Sequence, residues 1–504
     1  EFYNLGHMVE GAVAYYQATG KRNFLDIAIR YADCVCKNIG EGPGQKRVIP
    51  GHQIAEMALV RLYMVTGDKK YLDQAKFFLD ARGTTARKDI YLQSHKPVLE
   101  QDEAVGHAVR AGYMYSGMAD VAAITGDSSY VRAIDRIWEN IVGKKIYITG
   151  GIGARHEGEA FGDNYELPNL TAYNETCAAI GNVYTNYRLF LLHGDAKYFD
   201  VLERTLYNGL ISGVSLDGGR FFYPNPLACD GKYRFNADHT ITRQPWFGCA
   251  CCPSNISRFI PSLPGYVYAV KDDKVYVNLF LSNRAKLKVN GKNVVLEQET
   301  SYPWNGDIRL TVAKGNQPFV MNVRIPGWVR GSVLPGGLYS YADGEELAYR
   351  VSVNGQEVKG ALQKGYLSID RHWKKGDVVE IHFDMQPRVV KANDKVAANR
   401  GRVAIEHGPL VYCAEWPDND FDISTLLLNR HPKFQVVEHP DLLGGINEIT
   451  TRAQALSYDA TGRLAAKDVK LTLIPYYAWA HRGEGRMEVW LPIEVGAASA
   501  ELQE

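Results

Sequence analysis

Two short segments hold the residue types from which a reactive centre can be built: Asn174-Glu175-Thr176-Cys177 and Cys249-Ala250-Cys251-Cys252-Pro253. Together they offer one carboxylate and up to four thiols, a donor set that suits a tetrahedral Zn2+ ion. Neighbouring side chains diverge along any regular backbone, so adjacent cysteines rarely both point into an apolar core. A sharp turn flanked by Gly248 and Pro253 would bring Cys251 and Cys252 onto one ion. One reading of this pattern is a closed zinc staple with no chemistry. The other needs an acid near a reactive thiolate, and Glu159 is the candidate.

Glu159 lies in a polar, irregular stretch that opens at Gly150-Gly151-Ile152-Gly153 and also carries His156, Glu157, Asp163 and Glu166. Long irregular loops tend to carry function. Asn174 reads as the N-cap of the helix that follows, which sets Glu175 and Cys177 in its first turn, pointing outward. A thiolate beside Zn2+, with an acid across a pocket, can break a glycosidic bond by double displacement. The thiolate attacks the anomeric carbon; the acid protonates the leaving oxygen and then, as a base, activates water. Zinc keeps the sulfur deprotonated near neutral pH and fixes its position. Trp246, Phe247, Phe222 and Tyr223 either offer faces for a sugar ring or are plain core aromatics. Cys34, Cys36 and Cys413 read as ordinary buried thiols, with Cys229 and Cys249 unassigned.

The elements that must position these groups begin with a degenerate repeat. Gly-His, apolar residues at helical spacing, a Gly turn and a second helix recur at Gly6-His7…Thr19-Gly20, Gly51-His52…Thr66-Gly67-Asp68 and Gly106-His107…Thr125-Gly126-Asp127. A fourth copy runs from Cys177 to His193-Gly194-Asp195. First helices such as Ile54–Val60 are apolar over most of their surface, whereas second helices such as Lys70–Ala75 alternate apolar and charged residues. Buried inner helices paired with amphipathic outer ones predict a toroid of helical hairpins, an (α/α)6 barrel. His7, His52 and His107 then converge at one end of it, either as satisfied caps or as functional groups. The chain opens at Glu1-Phe2-Tyr3 inside a helical pattern, so the barrel is expected to be N-terminally incomplete here.

After residue 271 short β-branched and aromatic runs take over, punctuated by turn signals such as Val289-Asn290-Gly291 and Val353-Asn354-Gly355. The expected fold class is a multidomain α + β chain: the barrel over 1–271, then two β-sandwich domains over 272–390 and 391–504, read as accessory. Fifty-seven basic and 57 acidic residues cancel, which argues for no nucleic-acid partner. No apolar run approaches the roughly 20 residues of a membrane-spanning helix, so no membrane insertion is expected.

Gly158-Glu159-Ala160-Phe161-Gly162, Asn174-Glu175-Thr176-Cys177 and Cys249-Ala250-Cys251-Cys252-Pro253-Ser254-Asn255 resemble glycoside hydrolase family 127 β-L-arabinofuranosidases. The related family 146 is similar. The Gly-His repeats and the β-rich tail extend the resemblance over the whole chain. It implies Glu175, Cys177, Cys251 and Cys252 as ligands of a Zn2+ cofactor, Cys251 also being the nucleophile, and Glu159 as acid/base. It further implies His107, His52, His7 and Tyr223 as sugar contacts. The implied partner is a plant-derived oligosaccharide or glycan, and the implied reaction is retaining hydrolysis of β-L-arabinofuranosides with release of L-arabinose. Another L-sugar, or a branched furanose of plant pectin, is the alternative within the same mechanism. The compartment (cytoplasm or periplasm), the linkage and the oligomeric state, a homo-oligomer included, stay open.

Three competing readings make different demands. A helical-barrel sugar epimerase also sets histidines at inner-helix starts but has no use for three thiols and a carboxylate on one metal. A zinc-activated water, as in amidohydrolases, needs an open coordination position, and four protein ligands leave none. A non-catalytic carbohydrate-binding protein with a structural zinc would have no need of Glu159.

Overall fold

The helical part of the chain is built from hairpins whose turns have one chemistry. The computed structural model describes residues 2–86 and 88–499. Helices α1 (Phe2–Thr19) and α2 (Asn23–Asn38), α3 (Ile54–Thr66) and α4 (Lys69–Ala81), and α5 (Ala108–Thr125) and α6 (Ser128–Asn140) form three such pairs. At the α3/α4 turn, Gly67 takes the left-handed conformation (φ 73°) and Asp68 caps α4 by accepting the Lys70 N–H at 3.1 Å. Thr66 Oγ1 joins the two halves, donating to Leu62 O (2.8 Å) and accepting the Asp68 N–H (3.2 Å). Thr125-Gly126-Asp127 repeats the arrangement between α5 and α6. Gly194 and Asp195 do the same between α7 (Thr176–His193) and α8 (Lys197–Thr205).

Helices α3 and α5 are buried along most of their length, and α1, α3 and α5 pack in succession. Gly112 and Gly181 let α5 and α7 approach backbone to backbone, since a Cβ on Gly112 would lie 3.1 Å from Gly181 C. Thr185 Oγ1 donates to Gly112 O (2.9 Å) across this contact.

Three sheets follow. A four-stranded sheet holds Tyr268–Lys271, Lys274–Val277, Asn316–Arg324 and Tyr366–Lys374. A six-stranded antiparallel sheet takes the strands between and beyond, from Asn283–Val289 to Val378–Phe383. In Asp307–Lys314, Ile308, Leu310 and Val312 alternate inward, as a sheet with one buried face requires. An eleven-stranded sheet combines Tyr339–Tyr341 and the strands after residue 386 with the short strand Ala228–Asp230, which pairs with Arg486–Glu488.

The compact units do not follow chain order. One comprises Glu1–Ile146, Ile152–Asn164 and Gly181–His193; the other comprises Tyr147–Gly151, Tyr165–Ile180 and Gly194–Glu504. Among the described residues no helix is long and apolar enough to cross a membrane.

Candidate active site

The thiol centre lies in the second unit, where two helices begin. Glu175 O accepts the Ala179 N–H (3.0 Å), so Glu175, not Asn174, holds the cap position of α7. Asn174 is left-handed (φ 44°), and neither of its side-chain polar atoms has a hydrogen-bond partner, which corrects the expected cap. Thr176 ties this helix start to the segment after Gly213. Its N–H donates to Tyr223 O (3.0 Å) and its hydroxyl to Phe222 O (2.8 Å). Cys251 and Cys252 are the first two residues of α9 (Cys251–Phe259), so the adjacent pair comes together on a helical start rather than a sharp turn.

One ligand atom each from Glu175, Cys177, Cys251 and Cys252 lies within 4.8 Å of all the others. Sγ of Cys251 and of Cys252 are each 3.5 Å from Glu175 Oε1; Cys177 Sγ is 3.6 Å from Cys252 Sγ, and Cys251 Sγ is 3.9 Å from it. A tetrahedral cation with metal–sulfur bonds of about 2.3 Å and a metal–oxygen bond of about 2.0 Å has edges of about 3.8 Å (S···S) and 3.5 Å (S···O). The donor set therefore already has the dimensions of such a site. Glu175, Cys177 and Cys252 are buried, contrary to the outward orientation expected for the first two.

Cys177 and Cys252 are buried, whereas Cys251 is half-buried. Hydrogen bonds from Cys177, Cys252 and Tyr223 outweigh its burial and pull its pKa far below the ordinary thiol range, whereas burial pushes Cys177 and Cys252 well above it. The Tyr223 hydroxyl stands 2.9 Å from Cys251 Sγ, and Phe247 meets the Tyr223 ring edge-on at 5.7 Å.

His107 and Glu159 lie in the first unit, 2.8 Å apart through Nε2 and Oε2. His107 caps α5, its Nδ1 accepting the Arg110 N–H at 3.3 Å. That bond fixes the tautomer: Nε2 carries the hydrogen and donates it to the carboxylate. Glu159 has a left-handed backbone (φ 50°) and follows Gly158, also left-handed; Ala160 then bridges to His107, and the Phe161 N–H donates to Gly106 O at 2.9 Å. His52 comes within 6.2 Å of the His107 ring, and Tyr3 touches both His52 (5.0 Å) and His7 (4.4 Å). The three histidines therefore do converge, although His7 lies within α1.

Some groups depart from expectation. Of the two readings left open for Phe222, the core one holds: the ring is fully buried and stacked on Trp479 at 5.3 Å. Cys34 is exposed and Cys36 half-buried, contrary to expectation; Cys413 is buried as expected, and the unassigned Cys229 is buried too, opposite Met487. Trp246 is 61% exposed. Sequence reasoning missed Gln93, whose side-chain N–H groups hold Val105 O (2.8 Å) and His107 O (3.1 Å) while its oxygen accepts from Gln53. No spacing marked it; a buried amide beside a Gly-His repeat was the only signal.

The chain matches three family models: the β-L-arabinofuranosidase GH127 catalytic domain over residues 1–265, the GH127 middle domain over 274–385 and the glycoside hydrolase family 127 C-terminal domain over 387–492. It is 36% identical over 536 residues to a non-reducing end β-L-arabinofuranosidase of Bifidobacterium longum subsp. longum, covering 97% of this chain and 78% of that one. A solved GH127 β-arabinofuranosidase is 76% identical, with a TM-score of 0.95 over 98% of this chain and 77% of the other. A GH127 β-L-arabinofuranosidase from Geobacillus stearothermophilus T6 is 41% identical, with a TM-score of 0.90 over 98% and 80%. The protein is a glycoside hydrolase, with a helical N-terminal region and sheet-rich regions after it. It belongs to glycoside hydrolase family 127.

Proposed function

We propose that the protein is a retaining, zinc-dependent hydrolase that releases L-arabinose from β-L-arabinofuranosides of plant glycans. The observation that carries this reading is the thiol centre, where Glu175, Cys177, Cys251 and Cys252 bring ligand atoms within 4.8 Å of one another and Cys251 alone of the three thiols is not buried. Glu175, Cys177, Cys251 and Cys252 would hold the zinc, which when bound keeps the thiolate ionised and fixed near neutral pH. Cys251 Sγ attacks the anomeric carbon, forming a C–S bond as the glycosidic C–O bond breaks and Glu159 gives its proton to the leaving oxygen. Glu159 then takes a proton from water, whose oxygen attacks the same carbon and releases Cys251 as thiolate. His107 orients Glu159 through its Nε2–H, and His52, His7 and Tyr223 contact the sugar. The domain limits 1–271, 272–390 and 391–504, the (α/α)6 barrel and the two sandwiches belong to the same proposal.

The test is release of p-nitrophenol from its β-L-arabinofuranoside, with Cys251→Ser and Glu159→Gln alongside. Cys251→Ser should abolish turnover, and Glu159→Gln should slow substrates with poor leaving groups most. Full activity in either variant would remove the role assigned to that residue. A parent chain that binds zinc yet leaves this substrate intact would redirect the search to other L-sugars.

A further inference from the structure

Arg243 is 2% exposed and has no carboxylate partner among the described residues. Its guanidinium donates to three backbone carbonyls instead: Nε to Ser212 O (3.0 Å), Nη1 to Trp479 O (2.6 Å) and Nη2 to Tyr477 O (3.1 Å). The Phe222 ring lies against it, 4.3 Å from Cζ to centroid. Glu415 acts on it only at a distance, without an ion pair, and a buried cation so placed is costly, so its place in the structure calls for an explanation beyond filling space.

Arg243 stands where three segments meet. Next to it, Gln244 exchanges two backbone hydrogen bonds with Phe221 (2.7 and 2.9 Å), which joins the loop leading to Cys251 with the segment carrying Tyr223. Phe222 O and Tyr223 O in turn receive Thr176, between Glu175 and Cys177, and the Tyr223 hydroxyl reaches Cys251 Sγ. The third segment is Tyr476–His481, far away in the chain. Its Trp479 stacks on Phe222, its Tyr476 hydroxyl donates to Pro226 O (2.8 Å) and its His481 Nε2 accepts the Leu216 N–H (3.0 Å).

We infer that Arg243 is a positioning residue for the thiol centre, and that Tyr476–His481 is part of that centre's support rather than of an accessory module. The inference rests on the proposed roles of Cys251 and the zinc ligands. Arg243 touches neither substrate nor metal; it locks the backbones that carry Tyr223, Thr176 and Cys251 onto one another and onto the C-terminal region.

The experiment uses the full chain, with Arg243→Met and Arg243→Lys, and reads kcat and KM on the p-nitrophenyl substrate and the rate of zinc release to a chelating dye. Arg243→Met keeps the apolar stem and should lower kcat roughly 10–100-fold per folded chain, with KM changed roughly threefold at most and zinc released about tenfold faster. Arg243→Lys can still serve some of the carbonyls and should recover part of both losses; if the Met variant does not fold, the Lys variant alone decides. A kcat and a zinc-release rate equal to the parent's, even with a lowered unfolding midpoint, would overturn the positioning role. A parent that holds zinc without hydrolysing the substrate would defeat the arabinofuranoside reading alone, and zinc release would then decide Arg243. A parent that holds no zinc overturns both.

Discussion

Glu159 keeps a backbone conformation that costs an L-residue about 1–2 kcal/mol. The cost is tolerable because His107, Ala160 and Phe161 lock the turn from three sides. His107 has two separable duties there: its Nδ1 caps a helix and its Nε2–H holds a carboxylate. His107→Asn should separate them, since Asn is a good N-cap but offers no imidazole donor. The expected outcome is a kcat lowered roughly tenfold or more, with an unfolding midpoint close to the parent's, read by steady-state kinetics beside thermal denaturation. A midpoint that falls with kcat would make His107 a cap and little else. At this scale the sequence was legible where residue type alone limits the choice: three thiols and a carboxylate suit few purposes. It left the choice open where burial decides. Nothing local marks Phe222 as interior, because Trp479, which covers it, lies far along the chain.

Helical elements were the most legible part of the molecule, because Thr-Gly-Asp turns satisfy their own hydrogen bonds within a few residues. Asn174 shows the limit of that reasoning. Its residue type favours a cap, yet Asn also tolerates the left-handed conformation better than most residues, and here that property prevailed. Close helix approach was not legible either, since a glycine inside a helix says nothing of what it faces. Gly112→Ala should push α5 and α7 apart and cost about 1–3 kcal/mol, seen as a lowered thermal midpoint. Gly181→Ala meets only ordinary contacts at 3.7 Å and should leave the midpoint unchanged or raise it through helix propensity. A Gly112→Ala midpoint equal to the parent's would show that this helix contact does not require glycine there.

At the scale of the whole molecule, α8 is bound to the four-stranded sheet by charge. Arg324, fully buried on strand Asn316–Arg324, pairs with Asp200 (2.9 Å) and Glu203 (2.5 Å), while Arg330 takes the other Asp200 oxygen at 2.6 Å. Burial pushes the Glu203 pKa up and Arg324 draws it back. Arg324→Met would leave Glu203 buried without an ion-pair partner, held only by the Tyr302 hydroxyl, at a cost of about 3–5 kcal/mol. The expected result is a chain cut faster in limited proteolysis near α8; parent-like resistance would assign the network no such role. Alternating patterns in the sequence revealed strands but not this pairing, because ion pairs between distant segments leave no local periodicity.

The bond from the Tyr476 hydroxyl to Pro226 O joins groups 250 residues apart in sequence. On a ribosome adding about 5–20 residues per second, Pro226 waits roughly 10–50 s for that partner to be synthesised. Throughout that interval the nascent segment from Ser212 to Cys252 lacks two of the three carbonyls that Arg243 holds, those of Tyr477 and Trp479, and its cysteines emerge without their final surroundings. The thiol centre is therefore made early and housed late, so the sequence that builds its cluster and the sequence that closes around it are separated in time as well as along the chain.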